Sequence, residues 1–199
     1  MIWKKLFKKK TKRTRVYKMR YAKVRSQDIS NGPGFRVSLF VQGCNRHCPN
    51  CFNQETWELD GGYSWTKQKE DKLLELCGVD YIDGLSILGG EPLLMFEKGY
   101  GEDYQPLIQL VKHFKELYPE KTIWVWSGYN FEDMVERPSR LRIKKVQEFL
   151  KYIDVLVDGE YIDSLNELNL KYRGSKNQRV IDVQKSLENH SIILYTPEI

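Results

Sequence analysis

Three cysteines stand within eight residues, Cys44-Asn45-Arg46-His47-Cys48-Pro49-Asn50-Cys51, at spacings of x3 and x2. Thiols this close form a metal site or a redox site. Three of them are one ligand short of a closed tetrahedral site, whether for zinc or for a four-cysteine cluster. A cluster held by three thiolates keeps one metal position open for another molecule. Zinc completed by His47 or by the distant Cys77 is the alternative, although His47 lies between two cysteines, too tightly placed to close on the same ion. A dithiol pair at Cys48 and Cys51 is the weaker reading, since the surroundings of a thioredoxin-type site are missing. Cys77 falls on the apolar side of a helix end, where a free cysteine behaves as a small buried hydrophobe.

The elements that must position these thiols follow from hydrophobic patterning. Phe35 to Val41 reads as a buried strand that ends at the cysteine loop, after the turn Asn31-Gly32-Pro33-Gly34. Leu85 to Leu88, Thr122 to Trp126 and Asp154 to Val157 read as further strands, and Arg173 to Asp182 as a polar stretch that turns strand-like. Helices are predicted over Ser64–Cys77, Gln105–Tyr118 and Arg140–Tyr152. Strands that are apolar throughout and alternate with helices belong to parallel sheets. The expected class is α/β, with a mostly parallel sheet of about four to six strands, too few for a closed eight-stranded barrel. An open partial (β/α) barrel fits. Its strands end in Gly43-Cys44, Gly89-Gly90, Ser127-Gly128 and Asp158-Gly159, tips that gather where α/β folds bind ligands.

The chain of 199 residues is long enough for one domain with a substantial core. Its net charge of +5 is local: residues 1–18 carry nine basic side chains and no acid, and the remainder holds 23 basic against 27 acidic residues. We therefore expect a solvated basic arm at 1–18 and a single domain at 19–199. A basic arm can touch nucleic acid or anionic membrane, but no specific nucleic-acid binding is expected of the folded part. No apolar run reaches the length of a membrane span, so no membrane partner is expected either. Clustered thiols without a disulfide framework point to a reducing compartment.

Cys44-x3-Cys48-x2-Cys51, followed by aromatic Phe52, resembles the signature of radical S-adenosylmethionine enzymes. Gly89-Gly90-Glu91-Pro92 is similar to the segment that those enzymes lay against the methionine ammonium group. Asn31-Gly32-Pro33-Gly34-x-Arg36 resembles glycyl-radical-enzyme activases. The blocks Cys51 to Trp57, Trp124 to Tyr129, Val155 to Gly159 and Arg173 to Arg179 are similar to the activating proteins of anaerobic ribonucleoside-triphosphate reductases.

The resemblance implies a [4Fe–4S] cluster on Cys44, Cys48 and Cys51, with S-adenosylmethionine on the fourth iron. It implies a cofactor site of Asn50, Cys51, Phe52, Gly89, Gly90, Glu91, Pro92 and Ser127, the last through its hydroxyl. It further implies a cytoplasmic activase fed by a one-electron donor such as flavodoxin, acting on the large subunit of the reductase. No side-chain acid or base is required for hydrogen-atom abstraction, so no conventional catalytic residue is assigned. The alternatives are a radical S-adenosylmethionine enzyme for a small molecule, such as 7-carboxy-7-deazaguanine synthase, and a zinc module that binds nucleic acid. Trp124 and Trp126 are expected to pack. Asp158 is open between a site role and capping the turn after it, and Arg173 and Arg179 between docking a partner or carboxylate and plain exposure.

Overall fold

The computed structural model describes residues 18–100, 103–136 and 139–197, so the predicted basic arm lies, except for Lys18, outside the described residues. Seven strands form one sheet: β1 (Arg20–Asp28), β2 (Phe35–Val41), β3 (Tyr63–Ser64), β4 (Ile82–Gly89), β5 (Thr122–Ser127), β6 (Val155–Asp158) and β7 (Arg179–Asp182). Their spatial order is β3-β1-β2-β4-β5-β6-β7. The central ladders β2–β4, β4–β5 and β5–β6 are parallel, and the outer ones are antiparallel.

Seven strands exceed the expected four to six, and the surplus is at the edges. Among the residues of β1, Lys23, Arg25 and Gln27 interrupt any apolar run, and irregular register breaks its pairing with β2 at two places. Strands of this kind hide from a search for continuous hydrophobicity. β3 is two residues long and carries no pattern at all.

Five α-helices accompany the sheet: α1 (Lys67–Cys77), α2 (Gln105–Leu117), α3 (Phe131–Val135), α4 (Ile143–Leu150) and α5 (Val183–Glu188). α1 begins later than predicted because Tyr63 and Ser64 pair with β1, and the Thr66 hydroxyl caps the helix by accepting from the Lys69 N–H at 3.2 Å. α4 is shorter than predicted at its start. Residues 140 and 142 instead bond across to the Leu94–Phe96 turn region, through Lys98 N–H to Arg140 O and Arg142 N–H to Phe96 O. α3 and α5 are too short for periodicity to declare them.

Alternation along the strands sorts the sheet into two faces. Val37, Leu39, Leu85, Ile87, Ile123, Val125 and Leu156 join one core with Leu73 of α1, Leu110 and Phe114 of α2, and Val146 and Phe149 of α4. The opposite face carries Arg36, Phe40, Ser86, Leu88, Trp124, Trp126 and Val157, and its apolar cluster contains no residue of a helix. As expected, Trp124 packs there, 1% exposed. The strand tips lie level, since Val41 pairs with Gly89, Ile87 with Val125, and Ser127 with Asp158. Four loops therefore leave the sheet side by side at one end.

Candidate functional site

The first of those loops carries the cysteines. Gly43 turns out of β2 at φ +102°, a conformation that favours glycine, and its N–H donates to Thr56 O at 2.8 Å. Cys44 N–H donates to Trp57 O at 3.0 Å, so the loop is closed at its base. His47 and Asn50 adopt positive φ, which bends the loop tightly and turns the His47 ring onto Trp57, with centroids 4.9 Å apart. Cys44, Cys48 and Cys51 are free thiols and line a single cavity of about 460 Å³.

Burial raises two of these thiols, Cys44 and Cys48. It pushes Cys44 up to about 11 and Cys48 up to about 12, where the Glu160 carboxylate adds to the effect. The Cys48 thiol faces Glu160 Oε1 at 3.5 Å. Backbone N–H groups are already aimed at the other two sulfurs: Asn53 N–H donates to Cys51 Sγ at 3.4 Å, and the Arg46 and His47 N–H groups point at Cys44. Among the described residues no three His, Cys, Asp or Glu side chains are drawn together tightly enough to hold a single metal ion.

The turn after β4 closes against the cysteine loop. Gly90 N–H donates to Val41 O at 2.9 Å and Glu91 N–H to Gly43 O at 2.8 Å. A Cβ on Gly90 would lie 2.3 Å from Gly43 O, so the close approach that this glycine permits is to the β2 tip. Gly90→Ala is expected to force the two turns apart, lowering both the melting temperature and the iron bound per folded molecule; wild-type values for both would refute the tight fit. Glu91 is 3% exposed, and its carboxylate accepts four hydrogen bonds. The donors are Ser127 Oγ at 2.8 Å, Leu93 N–H at 3.0 Å, Gly128 N–H at 2.8 Å and Arg46 Nε at 3.3 Å.

The structure brings most of the predicted site together. Cys44, Cys48, Cys51, Phe52, Gly89, Gly90, Glu91 and Ser127 all line the cavity, with Phe40, Leu88, Trp126 and Tyr172 on its far wall. Phe52 stands at the mouth, 68% exposed, with its ring 5.4 Å from that of Tyr161. Two residues fall outside the lining. Pro92 is buried behind the turn, and Asn50 Nδ2 donates to Asp163 Oδ2 at 2.9 Å on the outer side of the loop. The Ser127 hydroxyl is engaged by protein, donating to Glu91 and accepting from Tyr129 N–H at 3.1 Å.

Residues 30–181 match the family described as 4Fe-4S single cluster domain. The anaerobic ribonucleoside-triphosphate reductase-activating protein of Enterobacteria phage T4 is 39% identical over 81% of this chain and 93% of its own length. The proteins of the same name from Vibrio cholerae serotype O1 and Escherichia coli K12 are 37% and 34% identical, over 80% and 81% of this chain and 96% and 97% of their own lengths. The chain belongs to the anaerobic ribonucleoside-triphosphate reductase-activating protein family. The crystal structure of QueE from Escherichia coli aligns at a TM-score of 0.36 and 12% identity over 72% of this chain and 69% of that one, too remote to argue from.

In a family member that carries a 4Fe-4S domain, the donor set is chemically suited to a cluster. Three unpaired thiols share one cavity, and backbone N–H groups point at two of the sulfurs. Cys77 takes no part. It is fully buried among Leu73, Leu74 and their neighbours, and burial pushes its thiol up to about 12. Cys77→Ala is expected to keep the full iron and sulfide content and to lose about 1 kcal/mol of stability; loss of a quarter of the iron would contradict this.

Sequence reasoning missed the groups that hold the family's cysteine loop in place. Asn45 Nδ2 and the Tyr129 hydroxyl both donate to Glu97 Oε2, at 2.8 and 2.7 Å, and Glu97 is 2% exposed. Burial, then the Glu97 carboxylate, raises the Tyr129 phenol well above its ordinary range. Nothing in the sequence marks Glu97. Asp158 and Arg179 are engaged with each other and with α3. Asp158 accepts from Phe131 N–H at 2.8 Å and pairs with Arg179, which also bonds Glu132 at 2.7 and 3.0 Å; Asp158 thus reaches across to α3 rather than capping the turn that follows it. Arg173 lines the cavity and donates to Gln178 O at 2.7 Å.

Proposed function

We propose that this protein activates an anaerobic ribonucleoside-triphosphate reductase by generating a glycyl radical on the large subunit of that enzyme. The observation that carries the reading is the meeting of three free thiols with the Gly89-Gly90-Glu91 turn in one cavity at the carboxyl ends of parallel strands. Cys44, Cys48 and Cys51 are the residues that would hold the cluster. When bound, the cluster would supply the electron for reductive cleavage of S-adenosylmethionine, the chemistry from which a glycyl radical on the reductase would arise. The chain's own residues bind, orient and exclude water. Phe52, Gly89 and Gly90 offer surface to S-adenosylmethionine, Glu91 and Ser127 fix the turn that offers it, and Asn50 and Pro92 shape the loops from behind. Phe40, Leu88 and Trp126 keep the far wall apolar, which protects a carbon radical from side reactions. No side chain acts as acid or base, because a hydrogen atom rather than a proton moves.

In this reading residues from 19 onward form a single domain, and the sheet is an open partial barrel whose uncovered side admits a macromolecular substrate. A flavodoxin-like carrier donates the electron in the cytoplasm, a setting supported by the free thiols; no helix of the described residues is long and apolar enough to cross a membrane.

The test is anaerobic. The protein is reconstituted with iron and sulfide, reduced, and given S-adenosylmethionine with the reductase, and electron paramagnetic resonance is recorded beside a 5′-deoxyadenosine assay. A glycyl doublet on the reductase is the expected result. Cleavage of S-adenosylmethionine without a doublet would favour a small-molecule substrate, and a zinc-loaded protein without cleavage would overturn the reading.

A further inference from the structure

Arg46 lies midway between Cys44 and Cys48, and its side chain leaves the cysteine loop to cross the tips of β4 and β5. The guanidinium carbon sits 4.2 Å from the Tyr129 ring centroid, within the range of a cation–π contact. Its Nε reaches Glu91 Oε2 at 3.3 Å and its Nη1 lies 3.8 Å from Glu160 Oε2. The tip of β5 is fitted to this side chain: a Cβ on Gly128 would stand 2.3 Å from Arg46 Nε. Only 19% of the Arg46 side chain is exposed. An arginine side chain keeps its positive charge at any working pH.

A cation held by geometry in the cavity that Cys44, Cys48 and Cys51 line bears on a cluster bound there. Reduction adds an electron to an already anionic group, and iron–sulfur potentials follow net charge and nearby hydrogen bonds. A guanidinium at this place favours the reduced form against the opposing carboxylates of Glu91 near Cys44 and Glu160 beside Cys48, so removing it leaves those two charges unbalanced.

We infer that Arg46 is a positioning residue for the cluster: it ties the cysteine loop to the turns after β4 and β5, and its fixed charge makes the bound cluster easier to reduce. The inference rests on the cluster reading given above and goes beyond it, since the thiols alone do not require a cation between them.

The midpoint potential decides the matter, measured on reconstituted protein by redox titration without S-adenosylmethionine or reductase. Arg46→Met is expected to shift the midpoint to a more negative value at unchanged iron and sulfide content, and Arg46→Gln carries the same expectation should the methionine variant assemble poorly. Glu160→Gln is expected to shift it the opposite way. Arg46→Lys restores the charge but not the stacking on Tyr129, so it should keep a near wild-type midpoint with a broadened resonance signal from the reduced cluster. Neutral variants with the wild-type midpoint would overturn the electrostatic part, and a lysine variant with the wild-type line shape would overturn the positioning part. A wild-type protein that forms no cluster would instead refute the proposed function, so the two failures are told apart.

Discussion

Cys48→Ala is expected to abolish the glycyl radical entirely while leaving the fold in place. Cys48 is 8% exposed, and among the described residues its thiol has the Glu160 carboxylate, itself half exposed, as its polar partner, so its removal strands no buried donor or acceptor there. Losing one buried sulfur costs about 1 kcal/mol, a shift of a few degrees in a chain of this length. The chemical loss is of another order. In the proposed cluster three thiolates would hold three irons and leave one open for another ligand; with two thiolates a second iron would be left without a protein ligand. Iron content per folded molecule should fall steeply, with no doublet on the reductase. Cys44→Ala and Cys51→Ala should do the same, and Cys77→Ala, buried in the core on the helix-covered side of the sheet, should not. A Cys48→Ala protein with full iron and a normal doublet would remove the cysteine loop from the chemistry.

The parts of this molecule that were legible beforehand share a physical character. β2, β4, β5 and β6 could be read because both faces of a central parallel strand are covered, which makes each an apolar run. The thiols could be read because metal ligation demands a residue type and a spacing together. What stayed hidden is made by segments far apart in the chain. Glu97 meets Asn45 across 52 residues and Tyr129 across 32, and no local pattern announces either contact. Ser127 shows the same limit from the other side. Its place at a strand tip was visible, but its partner depended on where the buried Glu91 carboxylate would fall. The same holds for Gly90, whose small size is required by the carbonyl of Gly43.

The second large effect is expected at Arg36, at the far end of β2 from the cysteines. Arg36 is fully buried, yet no carboxylate lies within hydrogen-bonding reach of it among the described residues. Its five N–H groups go instead to Ser86 Oγ at 2.7 Å, Pro33 O at 3.4 Å, Thr122 Oγ1 at 3.0 Å, Leu85 O at 3.0 Å and Thr122 O at 2.8 Å. One side chain thus joins the 31–34 turn to β4 and β5. Gly32, at φ +111°, leaves room for it, since a Cβ there would stand 2.7 Å from Arg36 Cδ. Burial lowers Arg36 to about 10, which still leaves it charged at neutral pH. Arg36→Met keeps the length of the side chain but strands several buried acceptors, each of which costs roughly 1–3 kcal/mol when left unpaired. Partial relaxation brings the expected total to about 3–5 kcal/mol, or a melting temperature lower by about 10 °C. Arg36→Lys should recover only part of this, because an ammonium group cannot reproduce a planar fork of five donors. The cysteine loop lies at the other end of the strand, some six residues or about 20 Å away. Cluster loading per folded molecule should therefore stay at the wild-type value even as stability falls. Loss of iron in step with loss of stability would instead make Arg36 part of the cluster's own support, and an unchanged melting temperature would mean that the five bonds carry no weight in holding the sheet.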